Sequence, residues 1–595
     1  MPNLTIPVEE TMFLLKEVFG LEQLNTLPGY EEATDDLVEA ILTEAGKFCT
    51  EVVLPTNRVG DTEGCTLHED GRVTTPSGFK QAWEQYVEAG WMGLTVDPQY
   101  GGQGLPVTLN VILNEYIGTA SLAFSMYPGL TQGAYAAMNV HASDAIKNTY
   151  LPKMAEGKWT GTMNLTEAHC GTDLGLLRTK AVASDDGSYK ITGSKIFISA
   201  GDHDLAENIV HLVLARIEGA PKGTKGISLF VVPKFLPDSD NNPGDANHVS
   251  VGKIEEKMGI HGNSTCVMNF DGSTGWLVGA ENGGLKAMFV MMNEARLGVA
   301  VQGLTQSEAA YQHARDYAME RLQGRSLTGP KNPDGPADPL IVHPDIRRML
   351  MTMRSFNEAA RAFCVYASMQ SDIAHKHPDE KVRQQADDRL SLLTPVLKGH
   401  LTDVGFDNAV LGQQVFGGHG YIEETGASQF VRDARIAMIY EGANGIQALD
   451  LVGRKLMANG GRGIMALFQE LGAYVEKHAA DEALVPYILP LKAGAEDLQK
   501  ATMWFGNNAL GNPDHAGAGS VDYMHLFGTV MLGYMWAQMA EVATKNQDES
   551  RKSFFDTKLA LAKFYMERTM PTTAMRRDRI MVGADSLMAL PAEAF

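Results

Sequence analysis

The spacing of apolar residues changes twice along this chain of 595 residues, and these changes constrain its fold more than any single motif. Up to about Lys158, apolar positions recur every three or four residues, as in Glu31 to Lys47, which predicts amphipathic helices. From Trp159 to about Val278, β-branched and aromatic runs bounded by turn residues predict strands. Helical spacing returns at Gly284. We therefore expect helices, an antiparallel β region and then helices again.

The two changes of spacing and one later turn divide the chain into four predicted domains. This number is usual, since a chain of this length holds roughly three or four. Two long helical stretches, 347–375 and 382–415, follow the β region, and the turn Asn459–Gly463 separates them from a last helical block. We predict an α+β multidomain fold with an N-terminal helical domain (1–158), a central antiparallel β domain (159–278), a helical domain (279–455) and a C-terminal helical extension (456–595).

A net charge of −22 argues against nucleic acid and anionic membranes as partners, since both repel an acidic surface. The five cysteines are scattered without CxxC spacing, which suggests a reducing compartment and no structural metal site. The longest apolar run, Leu526 to Ala537, is too short to span a membrane and predicts a buried helix. No basic and apolar leader opens the chain, so we expect a cytoplasmic protein.

A single carboxylate, Glu441, follows the apolar run Ile436 to Tyr440 and precedes Gly442 and Gly445. Glycines let a ligand approach the backbone closely, and an apolar setting raises the pKa of a carboxylate toward neutrality. Both features suit a general base. The alternative is a glutamate at the start of a helix, where it merely favours the helix dipole.

Other catalytic and binding motifs are incomplete. Gly461–Ala466 fits a loose GxGxxA pattern, but a helix rather than a strand precedes it. Asp238 to Asn242 resembles the start of an EF-hand loop but lacks the required glycine and the closing glutamate. The adjacent His169 and Cys170 suggest either a reactive thiol or, more simply, a spectator cysteine in a loop.

Four segments, in this order, resemble motifs of the acyl-CoA dehydrogenase family. Met163–Asp173 is similar to the T-E-x-x-x-G-[ST]-D loop that opens the β domain of that family, and Lys195–Ser199 to its second flavin-contact strand. Gln414–Gly420 is similar to its Q-x-x-G-G-x-G flavin loop, and Tyr440–Gly442 to its catalytic-base motif. The Pro-rich loop after Arg325 and the helical extension resemble a long subgroup typified by 3-methylmercaptopropionyl-CoA dehydrogenase.

This resemblance implies an N-terminal helical domain, a central β domain and a C-terminal four-helix bundle, followed here by the extra C-terminal helical domain. It also implies FAD-dependent α,β-dehydrogenation of an acyl-CoA thioester. Glu441 would remove the α-proton while the β-hydrogen leaves as hydride to flavin N5, and the backbone N–H of Glu441 would help to polarise the thioester carbonyl. A homodimer or larger assembly that passes electrons to an electron-transfer flavoprotein is expected.

The same resemblance assigns binding roles residue by residue. Substrate contacts fall on Thr172, Asn293, Arg296 and Gly442. Contacts with FAD fall on residues of the β domain and of the helical segments: Met163, Leu165, Thr166, Gly171, Thr172, Phe197, Ser199, Arg321, Gln323, Gln414, Gly417, Gly418 and Asn444. Ala295 occupies the position where some members of the family carry the base, which leaves Glu441 as the candidate.

Two other functions remain open from the sequence. An acyl-CoA oxidase would share the fold and the base and differ in how oxygen reaches the reduced flavin. A nucleic-acid-binding relative without dehydrogenase activity would need a basic C-terminal surface, but acids slightly outnumber bases after Gly460. The bulky residues Phe124, Met126 and Tyr127 pack either in the core or along a ligand pocket; in the second case they favour short or sulfur-containing acyl chains.

Overall fold

The computed structural model describes residues 4–546 and 548–595, so residues 1–3 of the first predicted domain lie outside the described part. The chain divides into two compact units. We call Glu44–Gly298 the central unit, and the residues up to Thr43 together with Val299–Phe595 the helical unit. The domain boundaries expected after residues 158, 278 and 455 do not coincide with this division, and they stay predictions.

Helices dominate the chain before the sheet, as the apolar spacing predicts. Ser121 and Ser143 cap two of them by accepting hydrogen bonds from the N–H groups of Phe124 and Ile146, at 3.5 and 3.4 Å. The mostly apolar stretch Val107 to Ala120, which follows a Gly-rich turn, forms one of these helices. The helices are α1 (Val8–Met12), α2 (Glu22–Asn25), α3 (Asp35–Phe48), α4 (Leu54–Glu63), α5 (Phe79–Glu88), α6 (Val107–Ala120), α7 (Leu122–His141) and α8 (Asp144–Ala155).

The strands are β1 (Thr66–Leu67), β2 (Val73–Thr74), β3 (Trp159–Asn164), β4 (Lys180–Ala183), β5 (Tyr189–Ser199), β6 (Asn208–Ile217), β7 (Ser228–Pro233), β8 (Phe235–Pro237), β9 (Pro243–Ala246), β10 (Val249–Ile254) and β11 (Thr265–Val278). The main sheet has the order β10-β11-β5-β4-β6-β3, and β7 pairs with β11 and β6. It is largely antiparallel, as predicted, but β3 and β4 each run parallel to β6. The turn Asp185–Ser188 predicts the β4–β5 hairpin, whereas parallel pairs depend on long connections that carry no local signal.

Alternate residues of β6 point to opposite faces of the sheet, and both faces are buried. Val210, Leu212 and Leu214 pack on one face with residues of α7 and α8. Val213 and Ala215 pack on the other face with residues of β5, β7 and β11. A strand that is covered on both faces has no polar side to show, which explains why this segment reads as a continuous apolar run.

Helices return after the sheet. The predicted helical stretches 347–375 and 382–415 are two of them, α10 (Pro344–Lys376) and α11 (Glu380–Val415). The helices are α9 (Gly284–Glu320), α10 (Pro344–Lys376), α11 (Glu380–Val415), α12 (Ala427–Arg435), α13 (Asn444–Asp450), α14 (Arg462–His478), α15 (Val485–Asn508), α16 (Pro513–Lys545), α17 (Lys552–Arg568), α18 (Thr572–Val582) and α19 (Asp585–Met588). In the helical unit, α9, α10 and α11 share an apolar core that contains Tyr311, Met353 and Val415.

Helix α16 of the extension crosses α11 at short range. Gly399 on α11 faces Met524, and Gly528 on α16 faces His400, and a Cβ on either glycine would collide with the opposing side chain. The crossing therefore requires glycine at Gly528, where the base of the His400 side chain lies, and it is tight at Gly399, where the flexible side chain of Met524 lies. The predicted buried run Leu526 to Ala537 lies within α16 and is buried there.

Across residues 4–546 and 548–595, no helix has both the length and the apolar character that crossing a membrane demands.

A buried ion cluster in the helical unit links α1 to α10 and α17. Lys558 Nζ donates to Glu358 Oε2 at 2.6 Å and also contacts Glu10. Arg354 donates to the other oxygen of Glu358 at 2.8 Å. Burial lowers the pKa of Lys558 well below its ordinary value, so its charged form depends on these carboxylates.

We expect Lys558→Leu to lower the free energy of unfolding by about 3–5 kcal/mol, because it leaves two buried carboxylates without their shared ammonium. Lys552→Leu is the matched control, since Lys552 and Asp556 form an exposed pair on the same helix. Exposed pairs contribute about 0–1 kcal/mol. Thermal melting followed by circular dichroism compares the two variants, and equal losses would contradict a role for burial.

Candidate active site

The loop that carries Glu441 has an unusual backbone. The φ angle is 56° at Glu441 and 89° at Gly442, so two consecutive residues lie in the left-handed region. This conformation costs about 1–2 kcal/mol for a residue with a side chain, and it persists only where the surroundings fix it. Glu441 precedes α13, which begins at Asn444. The turn, rather than the first turn of a helix, therefore sets the direction of the carboxylate.

Buried polar side chains fix this turn. Lys398 of α11 is fully buried, and its ammonium donates to the carbonyl of Gly442 at 2.8 Å and to Asn444 Oδ1 at 2.7 Å. Gln447 Nε2 lies 3.4 Å from the carbonyl oxygens of both Glu441 and Gly442. Hydrogen bonds from charged donors are the stronger ones, so Lys398 contributes most to holding the turn.

The residue before the candidate base is also held in place. Tyr440 donates a short hydrogen bond from its hydroxyl to Gln302 Oε1 on α9. Burial and the neighbouring Glu441 raise the pKa of Tyr440 above its ordinary value, so the phenol stays protonated and remains a donor. Glu441 itself is half-buried. A carboxylate presented from a fixed, partly enclosed turn can act as a general base toward a ligand placed beside it.

The side chain of Asn444 is engaged within the protein. Its Nδ2 donates to Thr402 Oγ1 at 2.9 Å and to Asp403 Oδ1 at 2.6 Å, while its Oδ1 accepts from Lys398. The carbonyl of Gly399 also lies 3.2 Å from Nδ2. Both donor hydrogens are therefore used, and the oxygen already accepts one hydrogen bond. The predicted cofactor contact of Asn444 stays a prediction.

A glycine turn follows α11. Gly417 has a φ of 57°, and a Cβ added to Gly417 or Gly418 would meet no atom within 4 Å. Beneath this turn, Tyr317 of α9 stacks on Phe416 with ring centroids 4.2 Å apart. Gln414 is exposed on the preceding turn of α11. The three predicted cofactor residues Gln414, Gly417 and Gly418 thus lie together at an open backbone segment that an aromatic pair supports.

Arg321 and Gln323 follow α9 in an ordered loop. The N–H of Gln323 donates to the carbonyl of Asp338 at 2.9 Å, and the Asp338 carboxylate accepts from the N–H groups of Ser326 and Asn332 at 2.8 and 2.7 Å. The hydrogen bond from Ser326 is the main cause that lowers the pKa of Asp338 to about 2. An ionised carboxylate therefore orders the loop, in which the side chains of Arg321 and Gln323 are exposed.

In the central unit, a buried ion pair holds the loop after β3. Glu167 Oε1 accepts from Lys195 Nζ at 2.8 Å and from the Thr179 hydroxyl at 2.6 Å. Lys195 also donates to the carbonyl of Leu165 at 2.9 Å. Burial alone would raise the pKa of Glu167, but Lys195 and the hydrogen bond from Thr179 outweigh it and lower the pKa to about 2. The pair fixes residues 165–167 relative to β5.

Phe197 occupies an exposed position on β5. Its side chain is 61% exposed, and its φ is 60° although it lies within a strand. The register with β11 shifts at this point, because Ile198 pairs with Cys266 but Lys195 pairs with Met268. A bulge of this kind redirects one side chain. An aromatic ring held away from the sheet suits stacking against a flat ligand.

The remaining predicted residues of the central unit lie on these segments or on α9. A Cβ added to Gly171 would lie 3.7 Å from Thr166 Cγ2, so these two residues are neighbours. Thr172 is exposed. On α9, Arg296 Nη1 donates to Asn293 Oδ1 at 3.5 Å. Half-buried positions are found for Met163 and Ser199.

His169 and Cys170 lie beside Glu167, and one ligand atom from each of the three residues falls within 4.8 Å of the others. Such a group could hold a metal ion in principle. The Lys195 ammonium already neutralises Glu167, which opposes a second cation. Burial, and then Glu167, raise the pKa of the Cys170 thiol, so it is not a ready thiolate. These contacts favour the spectator interpretation of Cys170.

Two lysines with a structural role in these segments escape prediction from the sequence. Lys195 and Lys398 are both fully buried, and each holds a carbonyl or carboxylate of a predicted binding segment. A lysine at an inward position of an apolar segment requires such a partner. The position of the lysine within the apolar pattern is therefore the signal in the sequence that it is buried and paired. The identity of the partner depends on residues distant in the sequence.

Each unit carries features that fit part of a flavin dinucleotide. In the central unit, the exposed ring of Phe197 offers a surface for a flat ring system. In the helical unit, the open glycine turn at Gly417 and Gly418 lets a ligand approach the backbone, and the exposed Arg321 can pair with a phosphate. The residues present therefore suit FAD.

Four sequence-family models match the chain in order. They are described as the acyl-CoA dehydrogenase N-terminal domain (residues 36–158), middle domain (162–273) and C-terminal domain (282–457), and as acetyl-CoA dehydrogenase C-terminal like (467–591). The predicted α+β multidomain fold with an extra C-terminal helical domain is thereby confirmed.

Known proteins are similar to the chain over nearly its full length. The 3-methylmercaptopropionyl-CoA dehydrogenase of Ruegeria pomeroyi is 40% identical over 593 residues, which cover 98% of this chain and 98% of the relative. A butyryl-CoA dehydrogenase of Syntrophomonas wolfei is 32% identical and covers 100% of this chain and 99% of the relative. The solved acyl-CoA dehydrogenase of Bacillus anthracis complexed with FAD has a TM-score of 0.75 at 20% identity, covering 96% and 91% of the two chains, and supports the fold alone.

Acid unfolding tests the Glu167–Lys195 pair. A carboxylate with a pKa of about 2 stabilises the folded protein above its ordinary pKa of 4.5, and this contribution is lost as the pH falls from 4.5 toward 2. We expect the stability of Glu167→Gln to change less than that of the wild type over this range. Denaturant unfolding at a series of pH values measures the difference, with the exposed Glu69→Gln as control. Parallel curves for Glu167→Gln and the wild type would contradict the assignment.

Proposed function

The chain belongs to the acyl-CoA dehydrogenase family, and we propose that it uses FAD to introduce a double bond between the α and β carbons of an acyl-CoA thioester, giving the trans-2-enoyl-CoA. The observation that carries this proposal is the left-handed turn at Glu441 and Gly442, which directs one carboxylate from a fixed backbone. The family supports the reaction class, while the base and the substrate are our inference.

In the proposed reaction, Glu441 accepts the α-proton of the thioester. The α C–H is a weak acid, so the thioester carbonyl must be polarised as negative charge develops, and we assign part of this role to the backbone N–H of Glu441. Lys398 holds the carbonyl of Gly442, so the turn keeps its direction while charge moves. Bound FAD would supply the acceptor for the hydride that leaves the β carbon.

We assign the cofactor contacts by the chemistry that each segment offers. Phe197 and Ser199 would flank the flavin ring, and the hydroxyls of Thr166 and Thr172 can donate to its polar edge. Arg321 would pair with the pyrophosphate. The other proposed contacts are mainly through backbone or amide groups, and they are Met163, Leu165, Gly171, Gln323, Gln414, Gly417, Gly418 and Asn444.

For the substrate, we propose a short or sulfur-containing acyl chain, contacted by residues that include Thr172, Asn293, Arg296 and Gly442. Phe124 and Tyr127 of α7 are fully buried, and Phe124 packs against the rings of Phe79, Trp83 and Tyr86. This packing fits the core interpretation of these bulky residues. The preference for a short acyl chain is therefore supported by the similarity to 3-methylmercaptopropionyl-CoA and butyryl-CoA dehydrogenases rather than by these residues.

The electron acceptor and the assembly rest on the family resemblance. We propose an electron-transfer flavoprotein as the acceptor, a homodimer as the working assembly and the cytoplasm as the location. An oxidase of the same fold would instead release hydrogen peroxide in amounts equal to the product formed.

Replacement of the base is the direct test of the mechanism. We expect Glu441→Gln to bind FAD normally, since the amide has nearly the same shape, and to lose turnover by about 10²–10⁴-fold, as expected for removal of a general base. Flavin absorbance measures the bound cofactor, and its bleaching by acyl-CoA measures the reaction.

Glu294→Gln is the matched control, because Glu294 lies next to Ala295, the position at which some relatives carry the base. This variant should keep turnover close to that of the wild type. Retention of more than about a tenth of the wild-type rate by Glu441→Gln would show that another group removes the proton.

A panel of acyl-CoA esters tests the proposed substrate class. We expect flavin bleaching with the highest kcat/KM for short straight-chain esters or 3-methylmercaptopropionyl-CoA, and a steady fall as the chain lengthens. The Glu441→Gln variant run on the same panel separates turnover from flavin loss. Best activity on long chains would overturn the preference but leave the reaction class intact.

A further inference from the structure

A chain of buried and half-buried polar side chains connects the base turn to the C-terminal extension within the helical unit. Lys398 contacts both Gly442 and Asn444, and Asn444 Nδ2 donates to Asp403 Oδ1 at 2.6 Å. The other oxygen of Asp403, Oδ2, lies 3.0 Å from His525 Nε2. His525 belongs to α16 and falls in the segment 467–591 that matches the separate C-terminal family model.

The far end of this chain is enclosed and closely packed. His525 is 9% exposed and His400 is 5% exposed, and their Nδ1 atoms lie 3.0 Å apart, so one ring donates and the other accepts. Burial, and then His525, lower the pKa of His400 well below its ordinary value, which keeps His400 neutral. The glycine crossing at Gly399 and Gly528 brings the two helices to this distance.

We propose that His525 is a positioning residue for Glu441, acting through Asp403, Asn444 and Lys398 on the carbonyl of Gly442. This inference rests on the proposed function and extends it, because it assigns the extension a part in the reaction. No residue of the extension needs to touch the substrate or the cofactor for this role.

The physical reason lies in the strained turn. Asn444 presents its Oδ1 to Lys398 while its Nδ2 donates to Asp403, Thr402 and the carbonyl of Gly399, and the contact with Asp403 is the shortest of the three. Asp403 is oriented from its other side by His525. Without the imidazole of His525, the carboxylate of Asp403 can rotate. The amide of Asn444 is then held less firmly, and so is the ammonium of Lys398 that bonds to it. A displacement of the catalytic group by about 1 Å can cost roughly 10²-fold in rate.

The test compares His525→Leu and His525→Gln as FAD-loaded holoenzymes. We expect His525→Leu to reduce the rate of flavin bleaching at saturating acyl-CoA by about 10-fold or more, because the base is misplaced. FAD content and KM should stay close to the wild-type values. The primary isotope effect with α-deuterated acyl-CoA should rise, since proton removal becomes slower. His525→Gln should recover most of the rate, because its amide can still donate to Asp403.

His478→Leu is the matched control. His478 is also a buried histidine of the extension, and its Nε2 lies 3.1 Å from Glu541 Oε2, but it does not contact the chain that leads to Glu441. This variant should lose a comparable amount of thermal stability and keep both the bleaching rate and the isotope effect of the wild type.

Three results would overturn the inference. They are a wild-type bleaching rate in His525→Leu, an unchanged isotope effect despite a lower rate, and an equal loss of rate in His478→Leu. In each of these cases the proposed function stands if the wild-type enzyme bleaches with acyl-CoA. If the wild type bleaches with no member of the ester panel, the proposed function fails and the positioning role fails with it.

Discussion

The geometry of the candidate base depends on one buried ammonium. Lys398 has no access to solvent, and its Nζ donates hydrogen bonds to the carbonyl of Gly442 and to the amide oxygen of Asn444. A left-handed residue with a side chain is unfavourable by itself, so Glu441 keeps its conformation only because its neighbours are fixed. The two hydrogen bonds of Lys398 are thus the constraint on which the direction of the carboxylate depends.

Local patterns in the sequence predict the elements well. The helices α6, α10 and α11 follow from apolar spacing, and the β4–β5 hairpin follows from its turn residues. Parts of the candidate site can also be predicted from local sequence, because short segments around Glu441, Gly417 and Thr166 resemble family motifs. These features share one property: the residues that define each of them lie within a few positions of one another.

Interactions between distant segments are not predictable in this way. Glu167 and Lys195 are 28 residues apart, and Asn444 and Lys398 are 46 residues apart. The sequence shows that a buried lysine needs an anionic or carbonyl partner but does not say which one. For the same reason the sequence does not show that the amide of Asn444 bonds to residues of α11. The two parallel strand pairs of β6 also depend on the path of long connections.

The close crossing of α11 and α16 has a consequence for any attempt to separate the extension from the rest of the helical unit. Gly528 of α16 makes room for the ring of His400 on α11, because a Cβ at this position would collide with His400 Cγ. The same ring has its hydrogen-bond partner, His525, on α16. Removal of the extension would therefore leave a buried imidazole of α11 without that partner and uncover its ring, so the extension cannot be trimmed away as an independent tail.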